Sequence, residues 1–292
     1  MGCSNLPIPE AAREAGLSEL VFCEDFENEK AIDFSGKGLP GHSFYVQKNR
    51  SKLMLTPEQA EMRSSVLHLR PTSTDYAATL YTYHEAAQQG FLVHFGYIEA
   101  RIRANCPIGR HQYWPKFWGV PVACSGDDNH DCKAELVIVE FIDPLDKGRS
   151  RGRGKDMIYT GTLHEHRWEL DKNGEWQHRL CTNSVNATGY NDEFCYVDTD
   201  WHVYGVLWEP GHVAWYMDGE LMHSVRFVGG ALPEYFYRDN PRPLPRIEET
   251  FPDHHFQVWE GAHTITDRET MALVLTCHPY WPMDVDWVRV WQ

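Results

Sequence analysis

The sequence predicts an all-β sandwich. Short β-rich runs recur along almost the whole chain, turn residues separate them, and helical periodicity is scarce. The clearest runs are L-V-F-C at 20–23, F-L-V-H-F-G-Y-I-E-A-R-I-R-A at 91–104 and A-E-L-V-I-V-E-F-I at 134–142. Further along come W-H-V-Y-G-V-L-W at 201–208, H-V-A-W-Y-M at 212–217, M-A-L-V-L-T-C at 271–277 and D-W-V-R-V-W at 286–291. Several alternate apolar and polar residues, the period of a strand with one buried face. Asp218-Gly219 stands between two apolar runs and signals a hairpin. Short helical turns are expected near 56–63 and 230–237, and A-A-R-E-A suggests a short helix within the first nineteen residues. No repeat or linker divides the rest, so residues 1–19 read as a polar extension and 20–292 as one domain.

The formal net charge of −15 repels nucleic-acid phosphates and anionic membranes, so no nucleic-acid partner is expected. No apolar run is long enough for a membrane-spanning helix, so an integral membrane protein is not expected. Aromatic residues are abundant, with 11 Trp, 14 Tyr and 13 Phe. They favour strands and also stack on sugar rings, although core packing is the simpler reading for any single one. Lys147, Arg149, Arg151, Arg153 and Lys155 crowd into nine residues. That stretch is either a solvated loop or, with Arg151 at its centre, a binding loop for sulfate or carboxylate groups on a polymer.

Eight cysteines occur without a C-x-x-C pair, which argues against structural zinc. Cys124 and Cys132 bracket one polar stretch, and Cys181 and Cys195 bracket another. Each pair suits a loop-closing disulfide in an oxidising compartment, with the connectivity left open. Two glycosylation triplets begin at Asn49 and Asn186. Together these features suggest a secreted or cell-surface protein whose signal peptide has been removed, with Cys3 as a candidate lipidation point.

The most informative stretch is Glu135-Leu-Val137-Ile-Val-Glu140, preceded by Trp114-Pro-Lys-Phe-Trp118. Two carboxylates in a β-branched, apolar strand need a reason, because an unpaired buried charge is costly. One reading places a glutamate in solvent at each end. The other needs geometry, because residues five apart on a strand point to opposite faces. Glu135 and Glu140 share a face only if a β-bulge adds one residue between them, and bulges are common beside active sites. With the bulge, the pair reaches the separation of ~5–5.5 Å used by retaining glycosidases.

On these residues the chain resembles glycoside hydrolase family 16, the laminarinase, agarase and carrageenase group. The family signature is Glu-x-Asp-x-x-Glu on a bulged strand, preceded by W-P-x-F-W. Other matching stretches are F-G-Y-I-E-A-R-I-R at 95–103, G-T-L-H at 161–164, V-A-W-Y-M-D-G-E at 213–220 and V-D-W-V-R-V-W at 285–291. The resemblance implies a jelly-roll sandwich of two curved antiparallel sheets, with a substrate cleft on the concave face. It implies an endo-acting, retaining hydrolase of a β-linked polysaccharide, either a marine galactan or a β-1,3-glucan, acting as a monomer. Glu135 is then the nucleophile and Glu140 the acid/base, with Trp114 and Trp118 as stacking platforms and His164 beside the carboxylates. For each Trp, core packing is the equal alternative, and His164 also suits a structural hydrogen bond.

One departure stands out. Val137 occupies the place of the family's middle Asp. That carboxylate raises the acid/base pKa by like-charge repulsion and shares a proton with the nucleophile. Valine does neither, although it desolvates its surroundings. The second function class is therefore a glycan-binding sandwich that kept the cleft and lost chemistry. The resemblance also implies a structural calcium held by Asp25 and Asp286, with no cofactor required for catalysis.

Overall fold

The computed structural model describes residues 6–47, 55–70, 78–104, 115–122, 133–142, 157–170, 173–174, 176–184, 196–197, 199–228, 249–250, 256–260, 269–278 and 281–292. Two large sheets face each other. The front sheet runs Trp176–Ser184, Met157–Leu170, Lys133–Ile142, Lys116–Pro121, Met271–Cys277, Ala78–Tyr81, Phe44–Tyr45 and Ile32–Asp33. The back sheet runs Glu249–Thr250, Phe256–Glu260, Glu220–Val228, His212–Met217, His202–Glu209, Gly96–Ala104, Met283–Trp291, Val66–Leu69 and Ala60–Arg63, with Leu20–Glu24 also paired to Met283–Trp291. Among the described strands, pairing is antiparallel except between Glu220–Val228 and Phe256–Glu260 and between Ile32–Asp33 and Phe44–Tyr45.

The alternation in the sequence explains the layers. Phe117, Leu136, Phe141, Leu163, Leu273 and Leu275 of the front sheet point inward. They meet Ile98, Ile102, Val206, Trp208, Trp215 and Val288 of the back sheet in one apolar core. Removing this much apolar surface from water is the main driving force holding the sheets together. The expected hairpin forms at Asp218-Gly219, where both residues have positive φ, 53° and 84°. Those values match the twist of the flanking strands. Asp218 Oδ1 also accepts a hydrogen bond from the Val203 amide at 2.9 Å.

The short N-terminal helix forms at Glu10–Glu14. It is more than a polar extension: Ala12 packs with Tyr97, Leu207, Ala214 and Trp291 on the outer side of the back sheet, and Leu6 and Leu17 lie against the same cluster. The helical turn expected near 56–63 is instead a turn followed by the strand Ala60–Arg63. That strand is held by its ladder to Val66–Leu69, a tertiary contact that local periodicity does not report. The segment 230–237 lies outside the described residues.

Candidate active site

The site begins with an irregularity in the strand Lys133–Ile142. On one side, Lys116 registers with Glu140 and Phe117 with Val139, but Trp118 registers with Val137. On the other side, Glu135 faces His164, Val137 faces Thr162 and Glu140 faces Thr160. Both ladders therefore carry one extra residue between Val137 and Glu140, the bulge that the glutamate spacing required. Without it, Glu140 would follow Leu136 and Ile138 into the core. With it, Leu136, Ile138, Val139 and Phe141 all join the core. Glu135, Val137 and Glu140 share the opposite face.

The neighbours of this face are polar. Glu140 is buried, Glu135 half-buried, and Val137 only 1% exposed yet outside both apolar clusters of described residues. Thr160 and Thr162, both buried, place their hydroxyl oxygens 3.1 Å apart, in register with Glu140 and Val137. Lys116, across from Glu140, holds its Nζ 3.9 Å from the centroid of the Trp118 ring. An ammonium over an indole is favourable, and here it covers one face of Trp118. The Trp118 Nε1 donates to Thr276 Oγ1 at 3.1 Å, which fixes the orientation of the ring. His278 follows just past the end of the same strand. Burial first, and the nearby charge of Lys116 second, push its pKa down to about 4, so its ring is neutral at pH 7. Two carboxyl groups on one face, flanked by hydroxyls and imidazoles, are able to act on a single bond between them.

Known proteins resemble this chain in sequence and fold. The model of glycosyl hydrolases family 16 matches residues 172–233. A β-glucanase of Rhodothermus marinus is 26% identical over 256 residues, covering 84% of this chain and 78% of that protein. By these matches the chain is similar to glycoside hydrolase family 16. A keratan-sulfate endo-1,4-β-galactosidase of Sphingobacterium multivorum is 22% identical, covering 98% of this chain and 61% of that protein. The fold is that of the laminarinase catalytic domain from Thermotoga petrophila, with TM-score 0.51 and 15% identity over 94% of this chain and 97% of that one. Porphyranase B from Zobellia galactanivorans gives TM-score 0.51 and 14% identity, over 94% and 92% of the two chains. The chain is a jelly-roll sandwich and a glycoside hydrolase.

Family 16 residues expected from the sequence divide into three groups. Glu135, Val137, Glu140, Trp118 and His164 come together on the front sheet, with His164 directly across from Glu135. Trp114 and Arg151 lie outside the described residues, as do Cys124, Cys132 and Cys195. Asp25 and Asp286 belong to the other sheet. There Asp286 Oδ2 accepts a hydrogen bond from Arg101 at 2.6 Å, and Arg289 lies within electrostatic reach of both acids. Guanidinium groups take the place beside these carboxylates, and among the described residues no cluster of three His, Cys, Asp or Glu could hold a metal. Calcium takes six to eight oxygen ligands, so a calcium held by this pair would need further oxygens beyond the two carboxylates. Sequence reasoning passed over Lys116, Thr160, Thr162, Thr276 and His278. Lys116 was legible as the variable position inside W-P-x-F-W. The threonines carry no sequence signal, because β-branched hydroxyl residues are ordinary on any strand.

Proposed function

We propose that this protein is an endo-acting, retaining hydrolase of a β-linked polysaccharide, with Glu135 as nucleophile and Glu140 as acid/base. The observation that carries the reading is the bulge between Val137 and Glu140, which gives both glutamates one face. In the first step Glu140 donates its proton to the glycosidic oxygen while the Glu135 carboxylate attacks the anomeric carbon. The carbon–oxygen bond to the leaving sugar breaks, and a glycosyl ester to Glu135 forms. In the second step Glu140, now a carboxylate, takes a proton from water. The water oxygen attacks the same carbon and releases Glu135. Two inversions leave the configuration unchanged.

Glucan and galactan substrates both have support from relatives. The Rhodothermus protein is named a β-glucanase and the Sphingobacterium protein a keratan-sulfate galactosidase. The ammonium of Lys116 beside Trp118 supports a glycan bearing sulfate or carboxylate groups. The disulfide at Cys23 supports a secreted or cell-surface location.

A screen of laminarin, lichenan, agarose, porphyran, carrageenans and keratan sulfate tests the activity. New reducing ends should appear in the β configuration by NMR at early times. Glu135→Ala should lower turnover by about three orders of magnitude or more without loss of fold. An inverted first product, or undiminished turnover in Glu135→Ala, would overturn the reading. Burial of Val137 at the family's acidic position favours one alternative, a glycan-binding sandwich with weakened chemistry. Tight binding with no turnover on any of these polymers, unchanged by Val137→Asp, is its signature.

A further inference from the structure

A bulge takes backbone groups out of the ladder, and buried carbonyls then need other partners. The carbonyl oxygen of Val137, at the start of the bulge, accepts a hydrogen bond from the indole Nε1 of Trp215 at 2.9 Å. The next carbonyl, that of Ile138, receives a longer contact from the Tyr159 hydroxyl at 3.5 Å. Trp215 belongs to the strand His212–Met217 of the back sheet and is fully buried. Its indole therefore crosses the core to reach the bulge of the front sheet.

Gly161 lets it pass. This glycine lies between Thr160 and Thr162 on the neighbouring strand, and a Cβ added there would fall 2.2 Å from Trp215 Cδ1. Its φ lies outside the left-handed range, so the demand is for space alone. The stretches G-T-L-H and V-A-W-Y of the sequence meet at this contact.

We propose that Trp215 is a positioning residue: its indole N–H holds the Val137 carbonyl, and so fixes the bulge that turns Glu140 onto the face of Glu135. The inference rests on the assignment of those glutamates as the working pair. A bulge without this donor is free to shift its extra residue along the strand. One position of slip would carry Glu140 toward the core. Misplacement of about 1 Å in a reacting group costs on the order of 10²-fold in rate.

The experiment compares Trp215→Phe with Trp208→Phe in the full chain. Trp208 is equally buried in the same core, and its Nε1 has no hydrogen-bond partner among the described residues. Both variants lose the same atoms, so both should lower the melting temperature. Only Trp215→Phe should lower kcat, by about 10- to 100-fold, with KM within about twofold because the cleft surface is retained. If Trp215→Phe does not fold, benzothienylalanine at 215 keeps the ring shape and removes only the N–H. Its kcat should fall in the same way. Parental kcat in the folded Trp215 variant, or an equal fall in Trp208→Phe, overturns the proposal. Glu140→Gln, measured alongside, separates the two readings. If Glu140→Gln is inactive and the Trp215 variant is not impaired, only the positioning role fails. If Glu140→Gln turns over like the parent, the glutamate assignment fails first.

Discussion

On the outer side of the back sheet, Asp284 accepts hydrogen bonds from Arg70, Arg103 and His68, and Asp286 accepts one from Arg101. On the front sheet, the residues in register with Glu135 and Glu140 are His164, Thr160 and Lys116. The first surroundings lock a carboxylate. Burial by itself would raise the Asp284 pKa, but the bonds from Arg103, Arg70 and His68 outweigh it and hold the group below the usual carboxylate range. Its anion ties Met283–Trp291 to Val66–Leu69 and Gly96–Ala104 and has nothing to exchange. The second surroundings offer hydroxyls and imidazole, which can donate or accept. One fold thus uses buried acids as rivets on one side and as reagents on the other.

Asp284→Asn should break the first half of this comparison. It removes the anion from Arg70 and Arg103 while leaving their charges in place. A loss of about 1–3 kcal/mol is expected in urea unfolding, below the scale for a fully buried pair because both guanidinium groups are partly exposed and screened by solvent. Because the folded pKa is depressed, the stability is present above the unfolded value near 3.8 and disappears as pH falls through the folded value. The variant should therefore differ from the parent at pH 7 and converge with it in strong acid. Activity per folded molecule should stay within about twofold. Unchanged stability at pH 7 would show that the network holds nothing together.

Glu99 sharpens the contrast within the back sheet. It is 5% exposed, and Arg289 is its cationic neighbour. Here burial wins: desolvation lifts the pKa to about 7 against the opposing pull of Arg289. A raised folded pKa contributes stability that is complete below the unfolded value near 4.5 and is lost as pH rises through about 7. The parent should lose up to about 3 kcal/mol from this group between those limits. Glu99→Gln should abolish that slope and be the more stable protein at pH 8. Parallel melting curves for parent and variant across pH 5–8 would contradict the assignment.

The sequence carried the layers and the site's outline because each depended on a local period. A continuous apolar run located Met271–Cys277 to the residue, and the glutamate spacing required a bulge if the pair was to share a face. Other strands leave no local period in the sequence, for physical reasons. Met157–Leu170 contains Thr, His, Glu and Arg in quick succession, and only its pairing on both sides makes it a strand. Lys116–Pro121 ends in Pro and contains Gly, both poor strand formers, yet it sits between two partners in the front sheet. Trp215 read as one more core aromatic. Its contact with Val137 joins residues 78 apart in sequence, from opposite sheets, and no local pattern encodes that.

Val137 is where the two kinds of carboxylate setting can be interchanged. The side chain is buried on the reactive face, between Glu135 and Glu140 along the strand and opposite Trp118 and Thr162. Aspartate is no larger than valine, and the hydroxyls and carboxyls on this face give it hydrogen-bond partners, so Val137→Asp should fold. Its effect is electrostatic. A third carboxylate disfavours ionisation of its neighbours, and a proton shared among them is the cheapest arrangement in a dry site. If Glu140 acts as the acid, the basic limb of the kcat/KM profile should move to higher pH, by on the order of one unit. A higher maximal rate in the variant would mean that valine restrains the parent; a lower one would mean that the Thr160–Thr162 surroundings already perform the aspartate's role. A profile and rate identical to the parent would remove position 137 from the site altogether.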